Sequence, residues 1–349
     1  MATKGVGEQE SPHQAPADGG GAVLRPGQYL YEIREAPDVL RRVGAHLRAP
    51  GSLQLRQAAD LLRPHASGRL VAVGVAGSLH AAQALEAWCG RYGIPVIATG
   101  AARLYTGGPA LAEGDRILLI SQSGETPELL EWIDPVRARH QELVVLVNDE
   151  NSTLASAADL VLPMEAGPEL GPASKTFMSS LLWMDQLCEV LHSGTTAPER
   201  MEESAIALER LMVTGLPPAM AHVWRGTTWH VGEGAALAVA NQAAWLMTQT
   251  TSIGAASLNL GQLRYGAIGA LDSRSLVLMY PDLEPSDMMF EVAREVRERG
   301  AHVRRVSGGR EGLVFSHPLS LATVVTQAFL MNMVTEAWNR AEGKRLPVR

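Results

Sequence analysis

From residue 70 onward, short aliphatic runs alternate with longer amphipathic segments, and this alternation restricts the fold more than any other feature of the chain. Leu70–Gly74, Pro95–Thr99, Ile117–Ser121, Leu143–Asn148 and Leu160–Met164 are short, apolar and bounded by polar residues, the signature of strands buried on both faces of a parallel sheet. Between them, Leu79–Arg91 and Glu128–His140 have helical spacing. A β–α alternation with a period of roughly 20–30 residues predicts a doubly wound parallel sheet.

The pattern then repeats. A helix over about Thr176–Leu191 leads to a break at Ser193-Gly-Thr-Thr-Ala-Pro198, a helix near Met201–Met212 and a turn at Gly215-Leu-Pro-Pro218. Thr227–Val231, Ser275–Tyr280 and His302–Val306 are expected as strands, Ala235–Thr250 and Met288–Arg299 as helices, and Leu321–Ala341 as a closing helix. The expectation is an α/β protein of two lobes in tandem, 28–197 and 198–349, whose similar plan suggests an internal duplication. Residues 1–27 are rich in Gly, Pro, Ala and polar side chains. They bury too little apolar surface to offset the entropy of ordering, so a flexible tail is expected.

Composition narrows the function. A net charge of -7 with no dense basic run argues against nucleic acid as a partner. No apolar stretch reaches the roughly 18 residues of a membrane span, and the N-terminus lacks a signal-peptide pattern. The two cysteines, Cys89 and Cys188, fall in amphipathic segments, which argues against a disulfide framework and for a reducing cytoplasm. No Cys/His spacing marks a metal site, and neither a Walker loop nor a dinucleotide fingerprint is present, so no cofactor is expected.

The most informative segment is Arg116–Leu130, in which an apolar strand runs into Ser121-Gln-Ser-Gly-Glu-Thr126, then Pro127 and a helix. The strand places this loop at the carboxyl edge of the sheet, where open α/β sheets bind ligands. Hydroxyls and backbone N–H groups would converge there at a helix N-terminus that favours an anion, with Gly124 allowing close approach of the ligand. The plainer alternative is a helix cap made by Ser123 or Thr126. A second strand ends in Gly74-Val-Ala-Gly-Ser78, which would bring Ser78 to the same place.

These segments resemble the sugar isomerase (SIS) domain family, most nearly the isomerase domain of glucosamine-6-phosphate synthase and the fructosamine deglycases. The resemblance is carried by Tyr31-Glu-Ile-Arg-Glu-Ala-Pro37, Gly74–Ser78, Ser121–Thr126, Ala166-Gly-Pro-Glu-Leu-Gly-Pro-Ala-Ser174, Gly232-Glu-Gly234 and Gly261-Gln-Leu-Arg-Tyr-Gly266, in the family's order from about residue 28 to the end. It implies flavodoxin-like lobes. It also implies that Ser78, Ser121, Gln122, Ser123 and Thr126 contact a sugar phosphate, with Pro172 beside the sugar and Glu169 at an acidic position of that segment. The resemblance further implies a homodimer with shared sites, in which Tyr265 lies at the subunit boundary.

The departures bear on the chemistry. Where the family places a glutamate base and, three residues earlier, a lysine, this chain has Gln249 and Leu246. Tyr265 stands at the position of the ring-opening histidine and Gln262 at that of the motif's glutamate. The family's tail lysine is expected to be missing, since the chain stops at Gly343-Lys-Arg-Leu-Pro-Val-Arg349. A neutral amide has no usable basicity near pH 7. The expectation is therefore a protein that binds a phosphorylated sugar or amino-sugar phosphate, as a divergent isomerase or deglycase with altered catalytic groups. The alternative is a non-catalytic sensor or accessory subunit. His80, His230 and Glu233 are further candidates, set against capping or solvated roles. Trp88, Trp183 and Trp245 are expected in the core or at an interface.

Overall fold

The computed structural model describes residues 23–49, 51–64, 67–104, 111–112, 114–139, 141–282, 285–306 and 320–346. Most of the expected tail, residues 1–22, lies outside the described residues; just after it, the Leu24 N–H donates to the Leu346 carbonyl at 2.8 Å.

Three helices come first: α1 (Gln28–Arg34), α2 (Ala36–Arg48) and α3 (Gly51–Leu62). The first lobe continues with β1 (Leu70–Gly74), α4 (Gly77–Gly90), β2 (Val96–Gly100), β3 (Arg116–Ser121), α5 (Pro127–Leu130), α6 (Ile133–Arg137), β4 (Leu143–Val147), α7 (Thr153–Ala157) and β5 (Leu160–Pro163). Then come α8 (Lys175–Ser193), α9 (Glu199–Thr214) and α10 (Pro218–Ala221). The second cycle is β6 (Thr227–Gly232), α11 (Ala236–Thr250), β7 (Ala255–Asn259), α12 (Leu260–Tyr265), β8 (Ser275–Tyr280), α13 (Asp287–Glu298), β9 (His302–Arg305) and α14 (Ser320–Glu342).

The first sheet has the order β2-β1-β3-β4-β5 and the second β7-β6-β8-β9, with every pairing parallel. Numbered within its own lobe, the second order repeats the first without a fifth strand, as an internal duplication would leave it. This is the doubly wound arrangement expected. The strands read as continuous apolar runs because each buries both faces: Leu118 and Ile120 face one core cluster, Ile117 and Leu119 the other. Fully burying one such side chain stabilises the fold by about 1.5–3 kcal/mol.

Two local expectations need correction. The single helix expected over Glu128–His140 is broken into α5 and α6, and His140 lies outside the described residues. Pro135 has no N–H to offer the Glu131 carbonyl and its ring crowds that oxygen, so the helix has to restart. In the second lobe, Ala255–Asn259 pairs with β6 where the pattern predicts no strand. It is a short, half-buried edge strand without the aliphatic run of the central ones.

The lobes meet through helices. Helix α8 is buried along almost its whole length and packs on α4, α2, α3 and α14, while α9 packs on α2 and α14. Helix α4 packs on α11, with Gln83 accepting from the Asn241 amide at 2.7 Å and His80 2.9 Å from the Gln242 amide oxygen. Among the described residues no helix is long and apolar enough to cross a membrane.

Candidate functional site

Ser121 ends β3 and is 2% exposed. Its Oγ accepts the Gly124 N–H at 3.0 Å and lies 3.2 Å from the Thr126 hydroxyl, while the Ser123 Oγ accepts the Glu125 N–H at 3.2 Å. Neighbouring loops brace the turn: the Gln122 and Gly124 carbonyls accept from the Asn148 and Leu154 N–H groups at 3.2 and 3.1 Å. The Glu125 carboxylate accepts the Thr153 N–H at 2.6 Å, which commits its charge to the start of α7. Gly124 has φ +67°, and a Cβ there would sit 2.0 Å from the Ser152 Oγ. Its close approach is thus to Ser152, the N-cap of α7, rather than the approach to a ligand expected from the sequence.

The end of β1 supplies the opposite wall. Ala76 has φ 48° and ψ -118°, a conformation that costs a non-glycine residue about 1–3 kcal/mol and clusters at functional sites. The turn it makes starts α4 at Gly77 and Ser78. Ser78, Ser121, Gln122, Ser123 and Thr126 then line one cavity of about 300 Å³, closed by Leu129, Met164, Ala173 and Phe177. It lies at the carboxyl ends of β1 and β3, where the strand order of this sheet reverses. Among the described residues, the lining contains no acidic, basic or tyrosine side chain.

The helix contribution differs in origin from the expectation. Helix α5 has only four residues and Thr126 makes no side-chain cap, its hydroxyl facing Ser121 instead. Two long helices begin at the cavity, α4 of 14 residues and α8 of 19. The sequence analysis also missed Thr176 and Ser180, which stand one turn apart on α8 and line the same cavity. The signal was there: two hydroxyls at i and i+4 fall on one helix face.

Glu169 and Pro172 do not line this cavity. Glu169 is 5% exposed and serves the N-terminus of α8. One oxygen accepts the Ser174 N–H and Oγ–H at 2.9 and 2.8 Å and the Lys175 N–H at 2.9 Å, and the other accepts from the Thr176 hydroxyl. A buried carboxylate satisfying the free N–H groups of a helix start has a structural task. Two residues of Tyr31–Pro37 hold the same segment: Glu32 accepts from the Leu170 and Gly171 N–H groups at 2.9 and 3.0 Å, and Glu35 pairs with the buried Lys175 at 2.5 Å.

Leu246 is buried in the core, Gln249 is exposed on α11 and Tyr265 is 81% exposed, and none of the three lines the cavity. Gln262 forms a capping box with Asn259 at the start of α12. Glu233 accepts from the Ser286 hydroxyl at 2.6 Å beside α13. His230 lies fully buried, 2.7 Å from the Tyr280 hydroxyl, and burial pushes its pKa down to about 3. His80 is nearer the cavity. Burial lowers its pKa, the bond to Gln242 opposing this only in part. Trp88 and Trp183 are core residues and Trp245 is exposed.

Fold and cavity together define a two-lobed parallel α/β protein with a hydroxyl-rich cavity at the strand-order reversal of its first sheet. Residues 65–189 match the SIS domain family model. It is 27% identical over 263 residues to the glutamine–fructose-6-phosphate aminotransferase (isomerizing) of Zymomonas mobilis, covering 68% of this chain and 42% of that protein. The chain thus spans less than half the length of that curated relative. The C-terminal domain of glucosamine-fructose-6-phosphate aminotransferase from Francisella tularensis shares the fold with a TM-score of 0.78 at 19% identity, over 90% of this chain and 96% of that one. Tagatose-6-phosphate ketose/aldose isomerase from Escherichia coli gives a TM-score of 0.72 at 19% identity, over 93% and 95% of the two chains.

Proposed function

We propose that the chain binds a phosphorylated sugar or amino-sugar phosphate in the cavity between the ends of β1 and β3, and that it holds the sugar without isomerising it. The observation that carries this is the character of the lining: five residues of the two loops present hydroxyl or amide groups to one space, and among the described residues no acid–base side chain lines it with them. A phosphate dianion is well served by several O–H and N–H donors. Moving a proton between adjacent sugar carbons needs a base within hydrogen-bond reach, and Gln249 offers an exposed neutral amide at the position of the family's base. The sugar phosphates in the names of the similar proteins support the ligand class. We further propose a cytoplasmic homodimer in which exposed Tyr265 lies at the subunit boundary near the partner's cavity.

A second possibility, a divergent isomerase or deglycase, is favoured by one observation. His80, held neutral by burial, lies one helical turn from Gly77 of the cavity wall. Exchange of the sugar C1 or C2 hydrogen with deuterated solvent separates the two readings, because it registers proton abstraction without net turnover. The binding reading expects no exchange above the uncatalysed rate with fructose 6-phosphate or glucosamine 6-phosphate. Robust exchange by the unmodified protein would replace it with the enzymatic one.

A further inference from the structure

Hydroxyls line the candidate cavity from two directions, and the hydrogen bonds they already make within the protein set what each group can still offer a ligand. On the loops, the Ser123 Oγ accepts the Glu125 N–H at 3.2 Å, which leaves its own hydrogen to give. The Ser121 and Thr126 hydroxyls lie 3.2 Å apart, so one of their two hydrogens closes that bond and the other is left over. Ser78 adds a hydroxyl from the first turn of α4, where the helix dipole favours negative charge. This is a wall of donors, as an anion requires.

Helix α8 presents the reverse. The Thr176 hydroxyl donates to the Glu169 carboxylate, and the Ser180 hydroxyl has as partners the Thr176 carbonyl at 2.9 Å and the Met164 sulfur at 3.8 Å. Each of those partners only accepts, so both hydroxyl hydrogens are directed into the protein. What Thr176 and Ser180 have left for the cavity they line is the lone pairs of their oxygens. Both residues are buried, so bulk water does little for those lone pairs. A phosphate dianion has no hydrogen to give such an acceptor, whereas a sugar hydroxyl does.

Resting on the phosphosugar-binding function proposed above, we propose that Thr176 and Ser180 are specificity-determining residues that accept hydrogen bonds from hydroxyl groups of the sugar. The cavity then fixes the direction of its ligand, with the phosphate against the ends of β1 and β3 and the sugar over the first turns of α8. Neither hydroxyl is a base of useful strength near pH 7, so this recognition adds no acid–base group to the lining.

The test uses the full chain with glucose 6-phosphate, fructose 6-phosphate and glucosamine 6-phosphate. Calorimetric titration compares the unmodified protein with Ser180→Ala, Thr176→Val and Thr176→Ser. Ser180→Ala should weaken the best-bound ester about fivefold, the loss of one hydrogen bond between neutral groups. Thr176→Val keeps the side-chain shape and should weaken it by a similar factor, while Thr176→Ser, which restores the hydroxyl, should recover most of the affinity. Valine also takes a donor from the Glu169 carboxylate, so Ser180→Ala decides the matter where the valine variant does not fold. The ³¹P resonance of the bound ester then reads the orientation: it should stay in place in Ser180→Ala and move in Ser123→Ala. Unchanged affinity in Ser180→Ala, or a ³¹P resonance that moves with that substitution, overturns the assignment of α8 to the sugar and leaves the phosphate cradle standing. Failure of all three esters to bind the unmodified protein overturns both.

Discussion

Gly124→Ala tests whether the serine loop is set by its own backbone or by its fit against α7. Two costs are expected. Alanine at φ +67° pays about 1–2 kcal/mol for the left-handed conformation. Its Cβ would also lie 2.0 Å from the Ser152 Oγ and 2.4 Å from the Ser152 Cβ, so Ser152 has to move. Moving it breaks the cap in which its Oγ accepts the Ala155 N–H at 3.3 Å, worth about 1 kcal/mol. The sum is about 2–3 kcal/mol, readable in urea unfolding as a lower midpoint at constant slope. Ser152→Gly removes the obstructing atoms at a cost of a few tenths of a kcal/mol, because glycine is a tolerated N-cap. In that background Gly124→Ala should cost only the conformational part, leaving a coupling of about 1 kcal/mol between neighbouring sites. Equal destabilisation in both backgrounds would refute the packing reason for Gly124 and leave the backbone conformation as its whole explanation.

Two further outcomes follow from buried polar groups. His230 has a folded pKa of about 3 against an ordinary 6.5, so the unfolded chain binds more protons below pH 6.5 and stability falls as the pH is lowered. Between pH 8 and pH 5 the loss from this residue alone is about 2 kcal/mol; it should be absent from the difference between unmodified protein and His230→Leu if the ring is not buried neutral beside Tyr280. Glu169→Gln replaces one of two accepting oxygens at the start of α8, where N–H and hydroxyl donors of Ser174, Lys175 and Thr176 converge. It should destabilise the fold by about 1–3 kcal/mol and weaken sugar phosphate binding only through Thr176; thermal unfolding unchanged from the parent would contradict the structural role.

Much of this arrangement is visible in the sequence, for reasons that can be named. The central strands bury both faces, so Leu70–Gly74 and Leu143–Val147 carry unbroken aliphatic runs that no helix of that length would need. The serine loop is legible because a strand, several hydroxyls and a proline follow one another without a gap. Helix α2 is not among the expected helices, although Val39, Leu40, Val43 and Leu47 are buried at helical spacing. What escapes is what local pattern does not encode. The edge strand Ala255–Asn259 has no aliphatic run because it is only half covered. The positive φ of Ala76 depends on how β1 is delivered to α4, which no residue type at that position announces. Glu169 looks like a ligand group by its position in a motif, yet its partners are the N–H groups of the segment that follows it. Gln242 is one of several polar residues of α11, beside Asn241 and Gln249, and only the approach of α4 gives its amide oxygen a partner.

The central claim is that the hydroxyls at the ends of β1 and β3 hold the phosphate of a sugar. Calorimetric titration of the unmodified protein with glucose 6-phosphate, fructose 6-phosphate, glucosamine 6-phosphate and the three unphosphorylated sugars tests it most directly, with Ser123→Ala and Thr126→Ala as controls. At least one phosphate ester should bind while its parent sugar does not, and each substitution should weaken that binding by about 1–3 kcal/mol, the range for hydrogen bonds to a charged group. Equal affinity for a sugar and its phosphate, or binding that neither substitution alters, would contradict the account.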